Sequence, residues 1–177
     1  MSCRMCSENP FQRLFGFREA KSAEQRPPAR RKASPPRQEP AREFQPRSEE
    51  EIQDVIQQWE QYAHPRAREF FTTPEMLREV LTQLARSIDR ADDPVLGSDD
   101  HCVFWRGEVT KDDTQAAIRM VKPGETAESV TYVNRILAFI FATDDSFEQL
   151  MKLPKEPFRM SCGDQLCVHL AHISLAT

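Results

Sequence analysis

The sequence predicts an α+β fold, and three observations carry the prediction. Apolar residues recur at helical spacing between residues 48 and 90. The pattern changes to a strand-like one over residues 102–110 and 115–121. Two of the chain's five cysteines and two of its four histidines then crowd into "MSCGDQLCVHLAH", residues 160–172. The 177 residues suffice for one ordinary domain with extensions, or two very small ones.

Residues 1–47 show neither period. They hold 7 of the 13 prolines. The run "AEQRPPARRKASPPRQEPAREFQP" has almost no large apolar side chains, so burial cannot offset the entropy of ordering and a disordered tail is expected. This tail is basic, with 11 Lys/Arg against 5 Asp/Glu, a balance of +6, whereas residues 48–177 hold 13 against 23, a balance of −10. A basic tail suits nucleic acid, acidic protein or anionic lipid. On the acidic remainder, a phosphate-binding surface has to be a local patch working against the overall field. Within the tail, "NPFQRLFGF" (Phe11, Leu14, Phe15, Phe17) reads as a short docking motif. Arg30, Arg31 and Lys32 form a weak nuclear-import or phosphate-contact cluster, and Ser34 before Pro35 is a candidate phosphosite whose modification would cancel much of that charge. Cys3 and Cys6 read as free thiols, with half a metal site or palmitoylation as alternatives.

No run of 18 apolar residues exists, so no membrane span is expected. The N-terminus lacks the apolar core of a secretory signal and does not begin Met-Gly. With an odd number of cysteines, this points to a reducing compartment, nuclear or cytoplasmic, in which cysteines bind metal or stay free.

Ser48 and Glu51 have the spacing of a capping box and open "EIQDVIQQWEQYA". Ile52, Val55, Ile56, Trp59 and Tyr62 share one helical face, and His64-Pro65 ends the helix. Thr73 as cap and Pro74 at the first helical position start a second helix, with Leu77, Val80, Leu81, Leu84 and Ile88 as its stripe. Two helices cannot cover their own stripes, so the pair is expected to pack on the following module or on a partner. The polar break "RADDPVLGSDD", residues 90–100, is the expected boundary. The domains are therefore read as tail 1–47, helical pair 48–92 and module 98–177.

In that module "CVFWRGEVT" and "QAAIRMV" read as strands joined by the turn Lys111-Asp112-Asp113-Thr114. A second turn follows at Lys122-Pro123-Gly124-Glu125. "TAESVTYVNRILAFIFA" reads as a helix with Val130, Val133, Leu137, Ile140 and Phe141 on one face. "LPKEPF" is extended because two prolines prevent a helix. The carboxylate pairs Asp92-Asp93, Asp99-Asp100, Asp112-Asp113 and Asp144-Asp145 read as solvated turn residues, with a helix cap plausible at the last pair. No glycine-rich phosphate loop and no serine-centred nucleophile elbow is present.

Cys162-x4-Cys167-x4-His172 places three good zinc ligands within eleven residues. Thiolate and imidazole suit borderline-soft Zn2+, and four of them close a tetrahedral structural site. The loop of residues 163–166 is short enough to bring both sulfurs onto one ion. Cys102 is the first choice for the fourth ligand, with His101 or His169 as alternatives.

These residues, with the hairpin and the helix "VNRILAFIF" before them, resemble the zinc-binding loop region of the His-Me finger homing endonucleases, the ββα-metal nucleases. The DNA-binding domain of Smad transcription factors is similar. The resemblance covers residues 100–175, under half of the chain. It implies that a cysteine about sixty residues upstream joins the loop, hence a structural zinc on Cys102, Cys162, Cys167 and His172. It also places Arg135 where the family has an arginine within an apolar helix. The departures concern catalysis. The resemblance puts the general base at position 160, where Met160 has no titratable nitrogen. The asparagine helix that holds the nuclease's catalytic ion would lie beyond Thr177, and the usual Asn-Pro before the last histidine is His169-Leu170 here.

The expectation is thus a nuclease-derived, non-catalytic domain with no catalytic residues and a structural zinc, kept for binding. DNA is one candidate partner, reached through Arg106, Lys111, Arg119 and Lys122 near the hairpin. The alternative is a protein-protein adaptor acting through the helical pair and the tail. A third possibility, an active Mg-dependent nuclease, needs a non-histidine or relocated base; His169 could in principle substitute, but a displaced histidine of this kind reads as a surface side chain.

Overall fold

A computed structural model of the chain describes residues 42–154 and 156–175. The readings at Cys3, Cys6, "NPFQRLFGF", Arg30 to Lys32 and Ser34 lie outside the described residues. The described chain is α+β. Helices α1 (Glu49–Tyr62), α2 (Pro65–Phe70) and α3 (Pro74–Arg86) precede a two-stranded antiparallel sheet, β1 (Ala117–Val121) and β2 (Glu128–Tyr132). Helices α4 (Val133–Phe141) and α5 (Asp144–Met151) follow, and a single 3-10 turn spans Leu170–His172.

The helix signals act as written. Ser48 Oγ accepts from the Glu51 N–H at 3.2 Å, while the Glu51 carboxylate accepts from the Ser48 N–H at 2.8 Å, so two otherwise orphaned donors are satisfied. Thr73 caps α3, with Pro74 in its first turn. Ile52, Ile56 and Trp59 of α1 pack against the α3 stripe of Leu77, Val80, Leu81 and Leu84, and all seven are buried. His64-Pro65 ends α1 but also opens α2, an element the sequence reading does not anticipate. His64 Nδ1 accepts from the Arg66 N–H at 3.2 Å, and the proline supplies the first-turn φ. Arg66 then joins α2 to the far end of α4. Its guanidinium donates to the carbonyls of Phe139 and Ala142 and lies 3.9 Å from the Phe147 ring centre. It thereby meets the orphan carbonyls of a helix that has no basic residue of its own in its last turn.

Residues 42–47, read with the tail, are held against the fold. The Arg47 guanidinium donates to the carbonyls of Ala85 and Ile88 at the C-terminus of α3 and to that of Asp92. Gln45 donates its N–H to Asp89 Oδ2 and accepts from the Arg90 N–H. A helix C-terminus needs donors, and this arginine brings them from upstream.

Residues 90–100 pass beneath the helices. Val95 is fully buried, and Trp59 Nε1 donates to the Asp93 carboxylate, 3.1 Å from each oxygen. Asp93 Oδ1 also accepts from the N–H groups of Val95 and Leu96, both at 2.8 Å. One contiguous apolar core runs from Ile52 through α3 and α4 to Ile173.

Two strand assignments are corrected. Residues 102–110 form no strand; they make isolated bridges to three different partners, with Trp105 opposite Ile88, Phe104 opposite Cys167 and Val109 opposite Ala116. The Trp105 side chain folds back to donate from Nε1 to the Glu108 carbonyl and covers Gly107, where a Cβ would fall 2.6 Å from the indole. That reversal prevents a continuous ladder with β1. The true partner of β1 is residues 128–132, read from sequence as the start of a helix. The turn at Lys122, closed by the Glu125 N–H on the Lys122 carbonyl at 3.0 Å, returns the chain beside β1. Val130, Thr131 and Tyr132 are better accommodated in a strand than in a helix, so α4 begins only at Val133.

Removing the Asp93 carboxylate strands the indole N–H and two backbone donors. Asp93→Ala is expected to lower the unfolding free energy by about 3 kcal/mol, as read from the midpoint of a urea titration. A loss under about 1 kcal/mol would refute the role assigned to it.

Candidate metal centre

Two short backbone pairings build the site. The Trp105 N–H donates to the Leu166 carbonyl at 2.9 Å and the Val168 N–H to the Val103 carbonyl at 2.8 Å, so residues 103–105 run antiparallel to 166–168 and Cys102 arrives beside Cys167. The Ser161 N–H donates to the His172 carbonyl and the Ser174 N–H to the Arg159 carbonyl, around a bridge between Met160 and Ile173. That second pairing brings Cys162 back to His172. Between the cysteines the loop reverses at Gly163, whose φ of 80° is the left-handed value glycine adopts freely. Leu166 donates its N–H to Asp164 Oδ1 and Cys167 donates its own to the Asp164 carbonyl, completing the turn.

The result is a cluster of Cys102, Cys162, Cys167 and His172 whose ligand atoms all lie within 4.8 Å of one another. His172 Nδ1 is 3.3 Å from Cys167 Sγ and 3.8 Å from Cys102 Sγ. Its Nε2 lies 2.9 Å from the Asp99 carbonyl oxygen. A carbonyl only accepts, so Nε2 carries the proton and the lone pair on Nδ1 faces the sulfurs, the tautomer a metal requires. A tetrahedral ion with sulfur bonds of about 2.3 Å sets its ligand atoms about 3.8 Å apart. The observed spacing reaches that with a small inward adjustment. The four residues can therefore hold a metal ion, with every tetrahedral position filled by protein.

Burial, reinforced by the neighbouring cysteines, pushes the Cys102 thiol far above its usual range. Burial raises the Cys167 thiol as well, against the opposing backbone N–H donors of His169 and Val103. Crowded thiols of this kind stay protonated alone and become thiolates when a cation replaces their protons.

The alternative fourth ligands stand elsewhere. His101 Nε2 is 3.6 Å from Asp92 Oδ1. His169, read as a surface side chain, is fully buried. Its Nδ1 accepts from the Ala171 N–H at 3.1 Å and its Nε2 faces the Ser98 carbonyl at 3.0 Å, so neither nitrogen is available to a metal. Burial, with His172 beside it, holds its pKa below the ordinary imidazole range. Its ring stacks on that of His172 at 4.9 Å between centres and positions the ligand. The sequence reading also missed the carbonyls of Ser98 and Asp99. Backbone acceptors carry no side-chain signal.

The four basic residues proposed for nucleic acid do not share one face. Arg119 points to the solvent side of β1 and forms a two-pronged pair with Glu108, its closest contact 2.6 Å. Lys122, three residues on, lies on the opposite side with Met120 and lines a groove against α4. Arg106 and Lys111 are exposed, Arg106 within the Trp105–Gly107 reversal and Lys111 in the turn after it.

Fold and site together define an α+β domain with a three-cysteine, one-histidine cluster that could hold a metal ion, in which no described helix is long and apolar enough to cross a membrane. No family model, curated protein or solved structure matches the chain.

The pH dependence has opposite signs with and without metal. Metal-free, the folded thiols hold protons that the unfolded chain gives up, so stability is full below the ordinary thiol range of about 8.5 and falls as the pH rises through it. Metal-bound, the folded form is thiolate, and stability is lost on acidification, with about three protons taken up per ion released. Urea titrations of both forms and calorimetry in buffers of different ionisation enthalpy test this. Release of fewer than about two protons on binding would exclude a three-thiolate site.

Proposed function

We propose that the chain is a non-catalytic domain stapled by a structural zinc ion, related to the His-Me finger nucleases and retained to bind another protein. The convergence of Cys102, Cys162, Cys167 and His172 carries this reading. Three thiolates and one imidazole are a donor set that favours zinc over harder cations. With four protein ligands, no position is left for a water to be activated, so the ion serves structure. At the position the nuclease resemblance gives to the general base, the Met160 side chain is buried and its backbone is bridged to Ile173. A buried thioether neither takes a proton from water nor reaches a phosphodiester. Three thiols kept as metal ligands suit a reducing compartment, nucleus or cytoplasm.

A protein partner is favoured over DNA by the fate of the basic cluster. Arg119 is neutralised by Glu108, Lys122 faces the other way, and residues 48–177 carry a balance of −10. Affinity for duplex DNA depends on several side-chain cations neutralising phosphates together and releasing their counterions.

Elemental analysis of the purified protein is expected to find one zinc per chain, reduced to a small fraction in Cys162→Ser. A metal-free wild type would end the structural-zinc reading. In the same preparation, a fluorescent duplex should show no measurable binding at low salt, whereas binding whose affinity falls steeply with salt would replace the protein partner with DNA.

A further inference from the structure

Helices α2, α4 and α5 and the inner side of the hairpin enclose an open groove of about 360 Å3. Its walls are Phe70, Met120, Phe139, Phe147, Met151 and Phe158. Phe139 meets Phe70 edge to face at 5.1 Å and Phe147 at 5.9 Å, so the floor is a connected set of rings. Phe70 and Met151 are 39% and 51% exposed, which leaves large apolar surface in water. Methionine at the edge of such a groove adapts its shape to an incoming side chain.

Two cations stand beside this apolar surface. The Arg135 guanidinium lies 4.4 Å from the Phe158 ring centre and, among the described residues, donates to the carbonyls of Pro154 and Glu156. Partial burial disfavours its charged form, and no carboxylate among the described residues offsets this. Lys122, also in the lining, has no ion pair among the described residues. Arg66, Arg78, Arg86, Arg90 and Arg119 each face a carboxylate. Exposed cations such as Arg106, Lys152 and Arg159 have no such partner among the described residues either, but Lys122 and Arg135 are the two that border the apolar groove, whose lining holds no carboxylate.

We propose that this groove docks an acidic amphipathic segment of a partner protein, with its apolar side chains against the phenylalanines and its carboxylates on Lys122 and Arg135. The inference rests on the protein-binding reading above and names the partner's chemistry. An amphipathic helix laid in a hydrophobic groove is a common mode of peptide recognition, and flanking charge sets its orientation and specificity. The chain's own "NPFQRLFGF" is a poor occupant, because Arg13 and Arg18 would meet Lys122 and Arg135 with like charge.

The test uses the full-length, metal-loaded protein as target for a random peptide library displayed on phage. Enriched peptides are then synthesised and measured by fluorescence anisotropy. The expected peptides combine Leu, Phe or Trp with Asp or Glu. Lys122→Glu and Met151→Glu should each weaken them about tenfold while leaving metal content and thermal midpoint unchanged. Both positions are chosen because neither side chain holds the fold, whereas Arg135 ties down two carbonyls. Peptides indifferent to both substitutions would overturn the groove and leave the protein-binding reading standing. Enrichment of basic peptides would overturn the partner's chemistry, and failure to enrich any peptide would overturn both readings. A concentration-dependent dimer abolished by Met151→Glu would give the groove to a second copy of the chain instead.

Discussion

The backbone pairing of Val103 and Trp105 with Val168 and Leu166 joins the two parts of the chain on which the candidate metal site depends. It sets Cys102 beside Cys167 across a sequence gap of more than sixty residues and turns Trp105 toward Ile88 at the end of α3. A ligand set drawn from one short loop could bind an ion without organising anything else. Here one ligand residue lies 70 positions from another, so an ion in the site would close a long loop. Closing a long loop reduces the entropy of the unfolded ensemble more than closing a short one. The histidine ligand depends on the same crossing, because the carbonyls of Ser98 and Asp99 that orient His169 and His172 precede Cys102 by only a few residues.

The helices serve this arrangement by holding residues 90–100 in place. Asp93 takes the Trp59 indole from one side and caps the local backbone on the other, and Arg47 covers the end of α3. A polar segment between two periodic regions looks like a linker when only composition is considered. Asp93 is instead turned inward to satisfy the Trp59 indole that the packing of α1 on α3 has buried, and Val95 beside it joins the single core.

Surface charge follows a similar division. A count of lysines and arginines around the hairpin suggests a phosphate-binding patch, but side chains on a strand alternate between faces, and a pairing carboxylate removes a cation from the count. Arg119 and Lys122 illustrate both effects. Among the cations without a carboxylate partner in the described residues, Lys122 and Arg135 lie beside aromatic rings. That position is the observation on which the proposed docking of an acidic, apolar peptide rests.

Local signals determined much of this protein. The capping box at Ser48, the Thr73-Pro74 start, both turns and the three ligands Cys162, Cys167 and His172 were legible because each depends on residues within one or two turns of chain. Cys102 was the first choice for the fourth ligand, with His101 and His169 left open until the resemblance favoured it, and its convergence with the other three is a property of the tertiary structure. The stretches 102–110 and 128–132 could not be assigned from their own residues. The first has apolar residues enough for a strand but divides its hydrogen bonds among three partners, and the second carries an apolar pattern compatible with helix or strand until the turn at Lys122 lays it beside β1. The burial of His169 was equally invisible, since its partners are backbone carbonyls brought there by a distant segment. Periodicity and spacing report what a residue does with its near neighbours, whereas strand pairing, ion pairing and ligand closure are decided by which distant segment arrives.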